Sequence, residues 1–300
     1  MTTTAIRGAL LLTPEGEKQG DLLIQDDAIF SVGPAVRTAD VEIDGAGMTA
    51  SAGRVLPHAH LGRTLLTGDE HGCTSAERAQ RERDLTLADA AHAYRSGMQA
   101  LVSAGFTSVL TMASNAHAET ALACAAEVGL RATIGIDLSD AAAATAHEWD
   151  TLLRLTREWH GAERGRLRIA IAPATHDAIP DALWADALDL AIRADALVHT
   201  HVTQAEGDAA VTHLDRIGAL TRRTVLISDG ALSPSATAAI SHAGTTLVVG
   251  SDTTPTLARM LGPGPRFGTL RPGAKADVVV FEGTTARTVL VDGRSVGPAS

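Results

Sequence analysis

Cysteine is nearly missing from this 300-residue chain: Cys73 and Cys124 are too few for a disulfide framework, and they point to a reducing compartment. A cytoplasmic protein is therefore the expectation. Lysine is as scarce, with only Lys18 and Lys275 in a Lys+Arg total of 25, and together with heavy use of alanine and glycine this suggests the codon bias of a GC-rich bacterium. No apolar run approaches the ~20 residues that span a bilayer, and the N-terminal MTTTAIRGALLLTPEGE lacks a basic region followed by a long apolar core. Neither anchor nor leader is expected. Clusters of basic residues are also missing, and a net charge of −10 argues against binding the phosphates of nucleic acid. A small molecule is the expected partner.

What is present is a globular composition, 45% hydrophobic and 20% charged, long enough to bury a sizeable core without covalent staples. Residues 1–54 read as short strands between turns. From Val55 the pattern becomes strand then helix, repeated, with strands at 55–60, 107–112, 131–138, 167–172, 196–202, 224–228 and 245–250. Ala-rich stretches such as TLADAAHAYRSGMQALVSAG carry apolar residues at helical spacing between them. Near-continuous apolar strands alternating with helices are parallel strands covered on both faces, in a barrel or a doubly wound sheet. Short strands return at 265–300. The simplest organisation is a composite β sandwich from residues 1–54 and 265–300, with an α/β unit at 55–264 inserted between them.

The first strand of the inserted unit, VLPHAHL, sets His58 and His60 two residues apart, so that both imidazoles share one face of the strand. Metal ligands and paired core histidines are the two readings of such a pair. A second pair, His199 and His201, lies in ALVHTHV.

The whole pattern resembles the amidohydrolase superfamily, in its cytosine deaminase and chlorohydrolase-like branch. The resemblance runs from EIDGAGMTASAGRVLPHAHL through SAGFTSVLTM, LRIAIAPATH and ALVHTHVTQ to the closing GTLRPGAKADVVVF and TVLVDGRSV. It implies a TIM-like (β/α) barrel with a small β sandwich built from both chain ends, and a metal site at the C-terminal mouth of the barrel. On this resemblance His58, His60, His201 and Asp252 are metal ligands, and Asp252 also handles the proton. Three imidazoles and a carboxylate suit one divalent ion, zinc or ferrous iron. Many binuclear relatives bridge two metals through a barrel lysine, whereas both lysines here belong to the terminal segments, so the site is expected to be mononuclear or bridged some other way. The implied activity is hydrolysis of a C–N bond, a deamination or an amide or amidine cleavage, in a small cyclic nitrogenous substrate by a metal-activated water.

Three departures from the relatives qualify that reading. Gln204 stands where they carry a proton-shuttling glutamate, and an amide cannot carry a proton at neutral pH. Ser228 stands at a sixth-strand histidine, followed by Asp229, which is a candidate base or a turn residue. The segment after the sixth strand is short, so either the barrel is incomplete or VVGSD is a seventh strand whose Asp252 has only a chance likeness to the family's ligand; an open edge needs a cover, for which a homodimer partner is one candidate. His176, His199, Gln204 and Arg63 are candidate substrate contacts, and the loop carrying Glu70, His71 and Cys73 is a surface loop or a lid. A catalytically altered homologue, either a cyclase or lyase or a non-catalytic partner subunit, is the competing expectation.

Overall fold

The computed structural model describes residues 1–34, 38–66, 73–138, 145–250 and 267–297. Asp252, Glu70 and His71 lie outside them. The chain ends supply β1 (Thr3–Thr13), β2 (Gly16–Gln25), β3 (Ala28–Gly33), β4 (Val41–Asp44), β5 (Thr49–Ala52), β13 (Val278–Glu282), β14 (Thr285–Val291) and β15 (Arg294–Ser295). These form one eight-stranded sheet in the order β15-β14-β13-β5-β1-β2-β3, with β4 beside the first half of β1. Ile6, Leu11, Leu22, Ile24, Val278 and Leu290 lie in its own apolar core.

Between them run β6 (Arg54–Ala59), β7 (Phe106–Ala113), β8 (Arg131–Leu138), β9 (Leu167–Pro173), β10 (Leu197–Val202), β11 (Thr224–Ser228) and β12 (Thr246–Val249). All neighbouring pairs are parallel, in the order β12-β11-β10-β9-β8-β7-β6. Six steps of ~4.8 Å would hold the end strands of a flat sheet about 29 Å apart. Instead, Val55 of β6 and Val248 of β12 share one interior cluster with Leu110, Val225 and Ile227, so the sheet is rolled into a nearly closed barrel. This is the α/β, TIM-like architecture expected from the sequence, with seven strands among the described residues.

Helices α1 (Ser75–Arg83), α2 (Leu87–Ser103), α3 (Ala118–Val128), α4 (Thr145–Trp159), α5 (Ala162–Gly165), α6 (Asp181–Ala194), α7 (Gly207–Arg216) and α8 (Pro234–Ala243) connect the strands. The long helices cover the barrel with residues such as Met98, Leu122, Leu155, Trp184 and Leu214, which pack against Ile134, Ile136, Ile169 and Val198. Helix α1 starts on a capping box, in which the Thr74 hydroxyl accepts from Glu77 N at 3.2 Å and Glu77 Oε2 accepts from Thr74 N at 2.7 Å. Its last turn carries Glu82, which is held by hydrogen bonds from Arg63, Tyr94 and Ser114. None of the described helices is long and apolar enough to cross a membrane.

Barrel and end sheet are joined at the bottom of β8. Arg131 donates to Asp277 at 2.9 and 3.1 Å and to Asp292 at 2.6 Å, and all three side chains are buried. The chain crosses from sheet to barrel at Gly53, where a Cβ would lie 2.0 Å from Thr107 Oγ1; only glycine fits.

Candidate active site

Which way His58 and His60 point is decided by an irregularity in β6. Leu56 pairs with Val109 and Ala59 pairs with Thr111, so three steps on β6 oppose two on β7. The extra residue is a β-bulge, and Pro57, which cannot donate to a ladder, sits within it. Val55 faces the barrel interior and Leu56 faces the helices. Regular alternation would then send residues 58 and 60 toward the helices, and the bulge returns both to the interior.

On β10 the parity is regular. Val198 and Val202 pack toward the helices and Leu197 toward the interior, so His199 and His201 face inward. The His58 and His201 Nε2 atoms lie 3.2 Å apart, and ligand-capable atoms of His58, His60 and His201 all fall within 4.8 Å of one another. The His60 and His201 rings are stacked at 5.4 Å. His201 Nδ1 lies 3.1 Å from the Ala174 carbonyl, which fixes the tautomer with the proton on Nδ1 and leaves the Nε2 lone pair pointing into the cluster.

Burial is the main reason these imidazoles are neutral. It pulls His58 down to about 3, helped by His201 and Arg63, and His60 down to about 2, helped by Arg63. His201 is lowered as well, again by burial first. His199 lies fully buried below the others, 5.2 Å ring to ring from His58, and burial holds it well below the ordinary histidine value. Neither nitrogen of His199 nor Nδ1 of His58 has a hydrogen-bond partner among the described residues. Neutral imidazoles whose nitrogens converge, with the His58 and His201 Nε2 atoms 3.2 Å apart, fit a divalent cation between them.

Above the cluster opens a cavity of about 490 Å³, walled by His60 and His201 together with Arg63, Glu82, Asp137 and Asp229. Glu82 is buried and fully engaged: it accepts from Arg63 Nε at 2.9 Å, from the Tyr94 hydroxyl at 3.2 Å and from Ser114 N at 3.4 Å. Asp229 is exposed and accepts from Gln204 N at 2.6 Å. Gln204 itself is exposed, with its amide folded over Gly230 and outside the cavity wall. His176 also lies off the wall, its ring 5.4 Å from that of His213 and its carbonyl accepting from Trp184 Nε1 at 3.0 Å. Ser228 is buried, and its hydroxyl donates to the Gly230 carbonyl at 2.7 Å.

Of the residues expected from the sequence, the structure thus gathers His60, His201, Arg63 and Asp229 around one cavity, with His58 against His60 and His201 and with His199 buried behind His58. It keeps Gln204 and His176 apart from that wall. Asp137 and Glu82 line the cavity without having stood out in the sequence. The available signal for Asp137 was a lone acid at the C-terminal end of an apolar barrel strand, RATIGIDL, the end where barrel enzymes keep their chemistry.

The fold is thus a parallel barrel whose imidazoles converge at the C-terminal mouth in a group that could hold a metal ion. The sequence matches the amidohydrolase family over residues 49–262, and the chain belongs to that family. It is 29% identical over 246 residues to a 5'-deoxyadenosine deaminase of Methanothermobacter thermautotrophicus, covering 73% of this chain and 56% of that protein. The chain thus spans little more than half the length of this relative. Among solved structures, a triazine hydrolase of Arthrobacter aurescens superposes with a TM-score of 0.85 at 16% identity, over 99% of this chain and 95% of the other. An adenosine deaminase of Xanthomonas campestris with bound zinc gives 0.85 at 16% identity, over 97% and 92%. At such identities these structures establish the fold.

Proposed function

We propose that the chain is a metal-dependent hydrolase that replaces the amino group of a 6-aminopurine nucleoside, or a close cyclic analogue, by oxygen. The observation that carries this reading is the convergence of three neutral imidazoles at the floor of a cavity. Its volume suits a nucleoside-sized ligand. The similarity to a 5'-deoxyadenosine deaminase supports the choice of ring.

His58, His60 and His201 would hold one divalent ion, zinc first and ferrous iron second, with Asp252 as the fourth protein ligand. Such an ion lowers the pKa of water and stabilises charge that develops on oxygen. The chain's own residues do the rest. The Ala174 carbonyl orients His201, the Arg63–Glu82 pair gives one wall a fixed charged lining, and Asp229 pins the loop that carries Gln204. In this reading Asp252 and Asp229 are candidate proton carriers and Arg63 is the candidate substrate contact, since Gln204 and His176 lie off the cavity wall and His199 is buried behind His58. Residues 55–264 form the catalytic unit, supported by 1–54 and 265–300, in a cytoplasmic homodimer whose mass sedimentation would reveal.

A second reading, an altered homologue that binds or rearranges its ligand without hydrolysis, is favoured by the outward position of Gln204 and by Ser228 on β11. Elemental analysis of the purified protein beside His58→Ala, followed by ammonia release from aminopurine nucleosides, aminopyrimidines and aminotriazines, separates the two. About one equivalent of metal, lost in the variant, with turnover on an aminopurine supports the hydrolase. A full complement of metal with no turnover across the panel leaves the second reading in its place, and two equivalents per chain would refute the mononuclear site.

A further inference from the structure

Asp137 lies on β8, whose Ala132, Ile134, Ile136 and Leu138 pack toward the helices. Thr133, Gly135 and Asp137 therefore face the barrel interior. Gly135 confirms that parity: a Cβ built on it would sit 3.4 Å from His199 Nδ1, directly against the buried histidine. One pleat further toward the mouth comes Asp137. It pairs in register with Ala172, and two residues past Ala172 on the same chain lies the carbonyl that orients His201. Asp137 thus stands beside the histidine cluster on the cavity wall, one strand removed from β10.

Its side chain is unusual among the acids of that wall. Glu82 is committed to Arg63, Tyr94 and Ser114, and Asp229 is exposed and holds the Gln204 backbone. Asp137 Oδ1 is shut off from water with no hydrogen-bond partner among the described residues. A buried acceptor left unsatisfied is costly, so its retention on a cavity wall calls for a ligand or a proton.

We propose that Asp137 carries the proton in the hydrolysis, taking it from the attacking water and giving it to the departing nitrogen. The proposal rests on the hydrolase reading above. One O–H bond of water breaks, its proton passes to the Asp137 carboxylate, and the oxygen bonds to the amino-bearing ring carbon. The carboxyl then protonates the amino nitrogen as the C–N bond breaks, with its electron pair leaving on nitrogen as ammonia. The second water proton ends on the adjacent ring nitrogen, the oxygen remains as a ring carbonyl, and Asp137 is again a carboxylate.

Its acidity suits the task. Burial pushes Asp137 up to about 7, Glu148 of α4 and Glu82 of α1 push the same way, and Arg83 of α1 and Arg63 oppose them. A group poised near neutrality both accepts and donates at useful rates.

The test compares the metal-loaded wild type with Asp137→Asn and Asp229→Asn on the best aminopurine nucleoside of the panel. For Asp137→Asn, kcat falls by about a hundred- to ten-thousand-fold with KM within a few-fold and metal content unchanged. The limb near pH 7 in the wild-type kcat/KM profile disappears. Infrared spectra of the metal-free chain supply a readout independent of turnover: a buried carboxylic acid band lost as pH rises through about 7, absent in the variant. Asp137→Asn that retains kcat and the pH limb, or that raises KM alone, overturns the proposal while the hydrolase stands. A wild type that turns over nothing overturns both.

Discussion

The carboxyl of Asp137 opposes folding wherever it is ionised. Its folded value is raised to about 7 from an ordinary value near 4, so between those two the folded chain holds a proton that the unfolded chain releases. Stability contributed by this group is therefore complete at acid pH and falls as pH rises through that window, by about 1.4 kcal/mol per pH unit and a few kcal/mol in all. Asp137→Asn removes the penalty. Urea titrations in the presence of chelator should show variant and wild type within a kcal/mol at pH 4 and the variant more stable at pH 8; an asparagine chain weaker at both would mean that the carboxyl makes an interaction worth keeping. The same residue shows why parts of the site were hidden in the sequence. His58, His60 and His201 are legible because a two-residue spacing on a strand and a second histidine pair are local patterns. Asp137 and Glu82 acquire their character from burial and from partners on other elements, with Glu82 held by Arg63 from 19 positions away, and no spacing rule records that.

The strands themselves were legible almost to the residue, the first being read at 55–60 and observed at Arg54–Ala59. The bulge was not. Alternation established that His58 and His60 share a face, but which face depends on one unpaired residue on β6, and Pro57 was the only hint of it. A second local device is Gly135, which gives His199 its room. A methyl there would meet Ala172 Cβ at 3.2 Å and His199 Nδ1 at 3.4 Å, with β9 on one side and the histidine cluster on the other. The tight contact is the one with Ala172, so β8 or β9 must give by a few tenths of an ångström, and a shift of β9 passes to the Ala174 carbonyl that orients His201 in the histidine cluster. Gly135→Ala should cost about 1–3 kcal/mol of stability. It should also weaken metal binding at least about tenfold, the scale seen when groups that orient ligands are disturbed. Isothermal titration with zinc checks this, and affinity equal to wild type would show that the strand relaxes without moving His201.

At the scale of the molecule, the two chain ends meet because the pattern of short strands recurs at both termini, and that much was legible. The joint between sheet and barrel was not, since Arg131 and Asp277 are 146 positions apart. Their pairing also explains how a charged residue opens a core strand: Arg131 at the start of β8 is 3% exposed, its ion pairs are with two carboxylates of the end sheet, and its guanidinium lies 4.7 Å over the Phe267 ring. Asp292 is fixed in turn by Lys275 at 3.4 Å, and its own N–H donates to Asp277 at 2.9 Å, so both acids are organised around the guanidinium. Replacing Arg131 by methionine keeps much of the apolar volume and leaves two buried carboxylates facing each other, with only Lys275 at 3.4 Å and Arg166 at 4.0 Å from Asp292 to offset them. Breaking a buried ion pair from one side costs about 3–5 kcal/mol, and Arg131→Met should lose at least that much, with a melting point lower by on the order of 10 °C. Adding Asp277→Asn and Asp292→Asn to the same chain removes the stranded charges. The triple variant should recover more than half of the loss, because a neutral interior does not require the guanidinium. If the single variant melts with the wild type, the joint is held by the apolar contacts of Phe281 and Val296 against the barrel. If the triple variant is no more stable than the single, the loss comes from packing and the charges contribute little.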